Sequence, residues 1–179
     1  MRTLLRTIHG SHLYGLAHDN SDVDYYVVVD DGRARQTIND GIDINTLSFD
    51  KFISLCYKGV PQALEAMFSQ EADIDEISYF RNGWVAGGSE VIDTYRRTIK
   101  SLSFDERHTT KYRRHAVRLA YNLRDIVEFG RFNPRLDDFQ IVMVQEIARL
   151  PEQHFMEKVN TISPIEIFHD EGVDIAVEP

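Results

Sequence analysis

The segment Val23–Val29 constrains the fold more than any other part of the chain. Its sequence, VDYYVVV, is dense in β-branched and aromatic residues, and the turn-forming residues Asp30-Asp31-Gly32 follow it. Segments of this kind form buried strands that end at a turn. The chain therefore needs a sheet that contains this strand.

Two further segments are predicted to supply strands to the same sheet. Residues 3–8 (TLLRTI) are apolar and β-branched, and they lead into His9-Gly10-Ser11, which predicts a tight turn that opens a helix over 11–17. Residues 42–47 (IDINTL) alternate apolar and polar side chains, as a strand does. Asp43 then points away from the face that carries Ile42 and Ile44.

Helices are predicted for the rest of the chain. Ser48 is a suitable N-cap for a helix that ends near Gly59, and Pro61 can occupy the first turn of the next helix. Further helical patterns cover residues 89–102, 106–129, 137–149 and 152–160, and the last 15 or so residues are expected to form a tail or short docking segment. We expect an α+β fold: a small mixed sheet flanked by helices over 1–85, followed by an all-helical half over 86–179.

The β-forming segment begins with two closely spaced acids, Asp22 and Asp24. The pleat of a strand sends side chains two residues apart to the same face, about 6–7 Å from each other. A lone Asp-x-Asp is usually a solvated loop or strand edge. Paired carboxylates repel each other unless a cation lies between them, and their hard oxygens suit Mg²⁺ or Mn²⁺. Asp43, on a neighbouring strand, can complete a two-metal site of the kind used in in-line phosphoryl or nucleotidyl transfer.

Gly10 and Ser11 lie where a predicted strand turns into a helix. Backbone N–H groups at a helix N-terminus receive phosphate oxygens well, and the Ser11 hydroxyl adds a further donor. These two residues are therefore candidates for binding the triphosphate of a nucleotide.

Together these residues carry a family resemblance. The segment HGSHLYGLAHDNSDVDYYVVV resembles the glycine-serine and Asp-x-Asp signature of the DNA polymerase β-like nucleotidyltransferase superfamily, and Asp43 in GIDINTL matches its third acid. With Lys51-Phe52 and Pro61…Glu65, the form is similar to the RNA-repair-associated, RlaP-like group. The resemblance implies Mg²⁺ or Mn²⁺ on Asp22, Asp24 and Asp43, and a nucleoside triphosphate donor. It also implies nucleotide-binding roles for Gly10, Ser11 and Ser21.

Other phosphate and metal motifs do not fit. No Gly-Lys-Ser/Thr follows Gly10…Gly15, which excludes a Walker A loop, and DNSDVDYYVVVDD lacks the central glycine and terminal glutamate of an EF-hand. His9, His12 and His18 match no common zinc spacing.

The predicted helix over 106–129 carries a basic face. Arg107, Lys111, Arg114 and Arg118 recur at helical spacing, which suits either a solvated surface or contact with a triphosphate or RNA backbone. Lys111 and Arg118 are the candidates for reaching the triphosphate. Glu65 is either a surface acid of its helix or, by resemblance, a site residue.

Bulk properties limit the remaining choices. The formal net charge of −9 disfavours a general grip on nucleic acid, so a nucleic-acid partner would need a local basic patch. One cysteine excludes an internal disulfide, and no stretch approaches the roughly 18 apolar residues of a membrane span, so we expect a cytoplasmic protein. The oligomeric state stays open.

The sequence thus predicts a metal-dependent nucleotidyltransferase. By resemblance, an RNA end, for example of tRNA, is the first acceptor to test, while a protein side chain or a small molecule stays open. The alternative is a nucleotide-binding or antitoxin-like module of the same fold without turnover.

Overall fold

The computed structural model describes residues 1–33, 35–39, 41–104 and 109–168. Within these ranges the strands are β1 (Thr3–His9), β2 (Val23–Val29), β3 (Arg35–Asn39), β4 (Ile42–Ser48) and β5 (Ala72–Asp75). The helices are α1 (Gly10–Tyr14), α2 (Phe49–Tyr57), α3 (Pro61–Phe68), α4 (Ser78–Gly83), α5 (Ser89–Ser103), α6 (Thr109–Phe129), α7 (Asp138–Ile147) and α8 (Glu152–Ile162). The predicted α+β class, with helices following a mixed sheet, is confirmed.

The strands of the described chain form one mixed sheet in the order β3-β4-β2-β1-β5. β2 lies at its centre, parallel to β4 and antiparallel to β1. The outer strands β3 and β5 pair antiparallel with β4 and β1. The strongly β-forming segment Val23–Val29 is therefore the central strand of the sheet.

Local signals placed several boundaries correctly. The Ser48 hydroxyl accepts a hydrogen bond from the Lys51 N–H at 3.4 Å and caps α2, and Pro61 is the first residue of α3. The helix after the Gly10 turn is shorter than predicted: it ends at Tyr14, because Gly15 takes a left-handed conformation with φ of 78°. Three short elements, β3, β5 and α4, were not predicted.

One hydrophobic core joins the sheet to the helices. It includes Leu5 and Val28 from the sheet, Leu64 from α3, and Val117 and Phe155 from α6 and α8, all fully buried. Tyr121 and Ile126 of α6 are also buried in this core. The boundary near residue 85 stays a prediction, and the core contains residues from both sides of it.

Two sequence predictions reach past the described residues. Arg107 and the first residues predicted for the helix over 106–129 lie outside them, and so do residues 169–179 of the predicted tail. At the start of that tail, Ile167 and Phe168 are buried, and their backbone N–H groups donate to the Asn160 side chain at 2.9 and 3.0 Å. In the part of the chain that the structure describes, no helix has the length and apolar character needed to cross a membrane.

Candidate active site

One face of the sheet is apolar at one end and polar at the other. Leu5 and Val28 point from this face into the core. Four residues along these strands, the same face carries His9 opposite Asp24, and Asp24 in turn lies opposite Asp43 of β4. Neighbouring residues in register project to the same side of a sheet. The strand pairing alone therefore brings Asp24 and Asp43 together beside the core.

Asp22 reaches the same place from the segment before β2. The Val23 N–H donates to the Gly41 carbonyl at 3.0 Å, which joins the start of β2 to the turn before β4. Gly41 has φ of 79°, and a Cβ built on it would lie 3.7 Å from Asp22 Oδ1. The structure thus brings together all three aspartates that the sequence selected.

These carboxylates lie on the wall of a cavity of about 730 Å³. Its lining comes from the strands β1 to β4, the helices α1, α3 and α6, and the loop before β2. The lining residues are His9, Gly10, Ser11, Tyr14, Leu16, His18, Asn20, Ser21, Asp22, Asp24, Tyr25, Gln36, Asp43, Asn45, Gln62, Lys111, Arg114 and His115. Most of these groups can form hydrogen bonds or carry charge. The cavity suits a polar ligand better than an apolar one.

Gly10 lies directly against the Asp24 carboxylate. A Cβ built on Gly10 would be 1.9 Å from Asp24 Oδ2, and the residue has φ of 64°. Both the contact and the left-handed backbone require glycine. The turn therefore places the start of α1, with Ser11, immediately beside Asp24.

The electrostatics of Asp24 reflect this crowding. Burial raises the pKa of Asp24 above its ordinary value, and the charges of Asp43 and Asp22 raise it further. His12 and Lys111 act on this pKa in the opposite direction. A site whose acids repel one another gains from a bound cation.

Asp43 is held by a residue of the unpredicted strand β3. Gln36 Nε2 donates to Asp43 Oδ2 at 2.6 Å, and Asp43 Oδ1 is buried with no hydrogen-bond partner among the described residues. An unpaired buried carboxylate oxygen and a set of hard oxygen donors fit a divalent metal ion. Across the described ranges, however, no three His, Cys, Asp or Glu side chains already form a metal-ligand cluster.

Helix α6 forms the opposite wall with one of its faces. Lys111, Arg114 and His115 line the cavity. Burial, and then the charge of Arg118, lowers the pKa of His115 to about 4, so its imidazole is neutral at pH 7. Of the predicted basic face, Lys111 and Arg114 are therefore at the cavity, Arg118 is not, and Arg107 is outside the described residues.

Arg118 lies below the cavity, not in its wall. Its side chain is 5 % exposed, and Nη1 binds Glu65 Oε1 at 2.5 Å. Arg118 is bound to a buried carboxylate and does not line the cavity, so the structure does not support the predicted contact between Arg118 and a triphosphate. Glu65 is fully buried, so it is not a surface acid of its helix.

The histidines near the site have separate environments. His9 Nε2 lies 3.6 Å from Glu65 Oε2, and burial lowers the pKa of His9. His12 Nε2 lies 3.3 Å from the Ser21 carbonyl oxygen, and the Ser21 hydroxyl accepts the His18 N–H at 2.9 Å. Ser21 thus fixes the loop that carries Asp22.

Several residues of the cavity wall were not found from the sequence. Gln36, Asn45 and Tyr25 line it from the strands, and Tyr14 and His115 line it from helices. The segment Arg35–Asn39 (RQTIN) has mainly polar side chains, so no local pattern marked it as a strand. Its alternation, with Gln36 and Ile38 on the face of Asp43, is the signal that could have found Gln36.

A family model described as "RlaP: RNA repair pathway DNA polymerase beta family" matches residues 1–154. The chain belongs to the RlaP family. The RlaP match includes every residue that lines the cavity and ends within α8. A comparison with curated proteins gave no match.

Proposed function

We propose that this RlaP-family chain transfers a nucleoside monophosphate from a nucleoside triphosphate to an acceptor hydroxyl, with Mg²⁺ or Mn²⁺ at Asp22, Asp24 and Asp43. One observation carries the proposal. Asp24 is flanked by Gly10 at the start of α1 and by Asp43 on β4, and Lys111 lines the same cavity. Carboxylates, a phosphate-binding turn and a cation converge on one space, as phosphoryl chemistry requires.

The donor triphosphate binds between the turn and α6. Backbone N–H groups at the start of α1 and the hydroxyls of Ser11 and Ser21 donate to phosphate oxygens, and Lys111 and Arg114 neutralise charge from the facing helix. In transfer, the acceptor oxygen attacks the α-phosphorus, and the bond from that phosphorus to the bridging oxygen breaks. Pyrophosphate leaves with that electron pair.

The three aspartates have distinct parts in this proposal. All three would hold divalent metal, and Asp43 would also orient the acceptor hydroxyl and receive its proton. Gln36 keeps one Asp43 oxygen in place, which leaves Oδ1 for this work. When bound, divalent metal neutralises negative charge on the reacting phosphates. Mg²⁺ is commonly held by one or two carboxylates plus substrate phosphates, so the absence of a closed ligand cluster among the described residues fits binding together with nucleotide.

The RNA-repair description of the family makes an RNA end, including that of tRNA, the acceptor class we propose. Lys111 and Arg114 give this net-acidic chain a local basic wall at the cavity. A protein side chain or a small molecule would be an outcome of the same test.

The test incubates the protein with each labelled ribonucleoside triphosphate, Mg²⁺ or Mn²⁺, and tRNA, total RNA or protein. We expect transfer of label by the wild type, and none by Asp22→Asn, Asp24→Asn or Asp43→Asn. Asp31→Asn, past the far end of β2, is the matched control and should transfer normally. If wild type and variants bind nucleotide alike and no label moves under any condition, the chain is a nucleotide-binding module and the transferase proposal is wrong.

A further inference from the structure

Glu65 on α3 and Arg118 on α6 form an ion pair in the interior of the protein. Their side chains are 0 % and 5 % exposed, and the Nη1–Oε1 distance is 2.5 Å. Removing two charges from water is costly, and apolar residues of similar volume are often as stable in such a position. A contribution to stability is therefore a weak explanation for the presence of this buried ion pair.

The pair is connected to the end of β1 and to α1. The Tyr14 hydroxyl donates to Glu65 Oε2 at 2.6 Å, and the Arg118 guanidinium lies over the Tyr14 ring, 3.6 Å from its centre. His9 Nε2 lies 3.6 Å from the same Glu65 oxygen. His9 and Tyr14 are the residues on either side of the segment that contains Gly10 and Ser11.

The pair is also connected to the basic wall of the cavity. Lys111 and Arg114 precede Arg118 by seven and four residues on α6, which places all three on one side of the helix. His115, one turn before Arg118, packs its ring edge-on against Tyr14, with centroids 6.3 Å apart. The position of Arg118 therefore determines how α6 is rotated about its axis, and how far along that axis it lies, where it meets the cavity.

We propose that Glu65 and Arg118 are positioning residues of the active site. Their ion pair holds the turn that carries Gly10 and Ser11 against the part of α6 that carries Lys111 and Arg114. This inference rests on the proposed function, since it assigns the two sides of the cavity to one bound triphosphate. Neither residue lines the cavity, so each acts through its neighbours and not on the substrate.

A second buried arginine gives a matched control. Arg81 is 6 % exposed and binds Asp75 together with the carbonyl oxygens of Ala66, Met67 and Ser69. It holds the end of α3, as Arg118 holds its middle, but it contacts no residue of the cavity wall through these bonds. Arg81→Met and Arg118→Met each remove a buried guanidinium and keep a long side chain.

The experiment compares Glu65→Gln, Arg118→Met, the double variant and Arg81→Met with the wild type. It records the melting temperature, amide hydrogen exchange over residues 9–14 and 110–115, and the Kd of ATP, GTP, CTP and UTP with Ca²⁺ replacing Mg²⁺. The double variant has no unpaired charge, so it is the decisive protein if a single variant fails to fold.

We expect both Glu65 and Arg118 variants to lose exchange protection in both segments and to bind nucleotide about 10-fold to 100-fold more weakly, as displaced binding groups do. Arg81→Met should be destabilised but bind nucleotide as the wild type does. The double variant should recover stability without recovering nucleotide affinity.

Two results would overturn the inference. One is a double variant that binds nucleotide like the wild type, and the other is an Arg81→Met protein that loses affinity and local protection to the same extent. If the wild type binds no triphosphate, the proposed function fails instead, and the exchange data still decide whether the pair orders the two segments.

Discussion

The Asp24 carboxylate rests on the backbone of Gly10, so closely that a Cβ on Gly10 would lie 1.9 Å from Asp24 Oδ2. This contact joins the turn at the end of β1 to the acid at the start of β2. Neither residue can change without moving the other. The two parts of the proposed site, the phosphate-binding turn and the carboxylates, are thus one structural unit.

Gly10→Ala should abolish nucleotidyl transfer. The left-handed backbone costs an alanine about 1–2 kcal/mol, and the methyl group displaces the Asp24 carboxylate as well. Turnover measures the displacement of the Asp24 carboxylate, and the free energy of unfolding measures the backbone strain. Gly87→Ala is the control, because a Cβ there has open space and no positive φ. An active Gly10→Ala protein would show that the contact is unimportant.

Asp24→Asn should stabilise the protein in the absence of divalent metal and remove its stabilisation by metal. The folded-state pKa of Asp24 is raised above its ordinary value of 3.8. Between the ordinary and the raised pKa the folded state binds more protons than the unfolded state, so stability falls as pH rises through this interval. The neutral amide avoids this loss. Melting curves with and without Mn²⁺ at about 100 times its Kd should show about 2.7 kcal/mol of stabilisation in the wild type and much less in the variant. Equal metal stabilisation in both proteins would contradict the assignment, and Asp31→Asn should behave like the wild type.

Gln36→Ala should lower kcat and leave the nucleotide Kd nearly unchanged. The side chain holds Asp43, which acts on the acceptor in the proposed mechanism, whereas the proposed donor contacts lie on α1, α6 and the loop before β2. Loss of one hydrogen bond to a charged group is worth about 1.5–3 kcal/mol, or roughly 10-fold to 150-fold in rate. Thr37→Ala, on the other face of β3, is the control. A change confined to the nucleotide Kd would show that Gln36 contributes to binding the donor nucleotide and not to the action of Asp43 on the acceptor.

Lys111→Ala should weaken nucleotide binding while the fold is kept. A charge-assisted contact with phosphate is worth about 1.5–3 kcal/mol, which corresponds to a rise in Kd of roughly 10-fold to 150-fold. Titration of a fluorescent triphosphate measures the change. Lys158→Ala on the exposed side of α8 should bind as the wild type does. Similar Kd values for both variants would exclude Lys111 from the triphosphate site.

His115 should make the protein less stable as pH falls below neutrality. Its pKa is about 4 in the folded state, below the ordinary 6.5, so the unfolded state takes up the proton first. That difference is worth about 3 kcal/mol, lost progressively between about pH 6.5 and pH 4. Urea unfolding at pH 7 and pH 4.5 should show a smaller decrease for His115→Gln than for the wild type. His154→Gln, at an exposed position of α8, should keep the full decrease, and an unchanged decrease in His115→Gln would show that other groups cause it.

Local sequence signals were enough for the parts of the fold that depend on few neighbours. The β-branched run gave β2, Ser48 and Pro61 gave the starts of α2 and α3, and the helical periods gave most of the second half. The strands β3 and β5 were not predicted because they are short edge strands with many polar side chains. Pairing with β4 and β1 stabilises them, and that pairing is not visible in their own sequences.

The sequence by itself determined the acids and the turn of the candidate site. Asp22, Asp24 and Asp43 lie at strand starts, where the period of a strand decides which side chains share a face. Tertiary structure decided what Arg118 and Glu65 do. Both lie on helical faces that the sequence alone leaves equally open to solvent, substrate or core, and only the packing of α6 against α3 and α1 buries them as a pair. Periodicity fixes the direction of a side chain, but what it meets depends on residues distant in the chain.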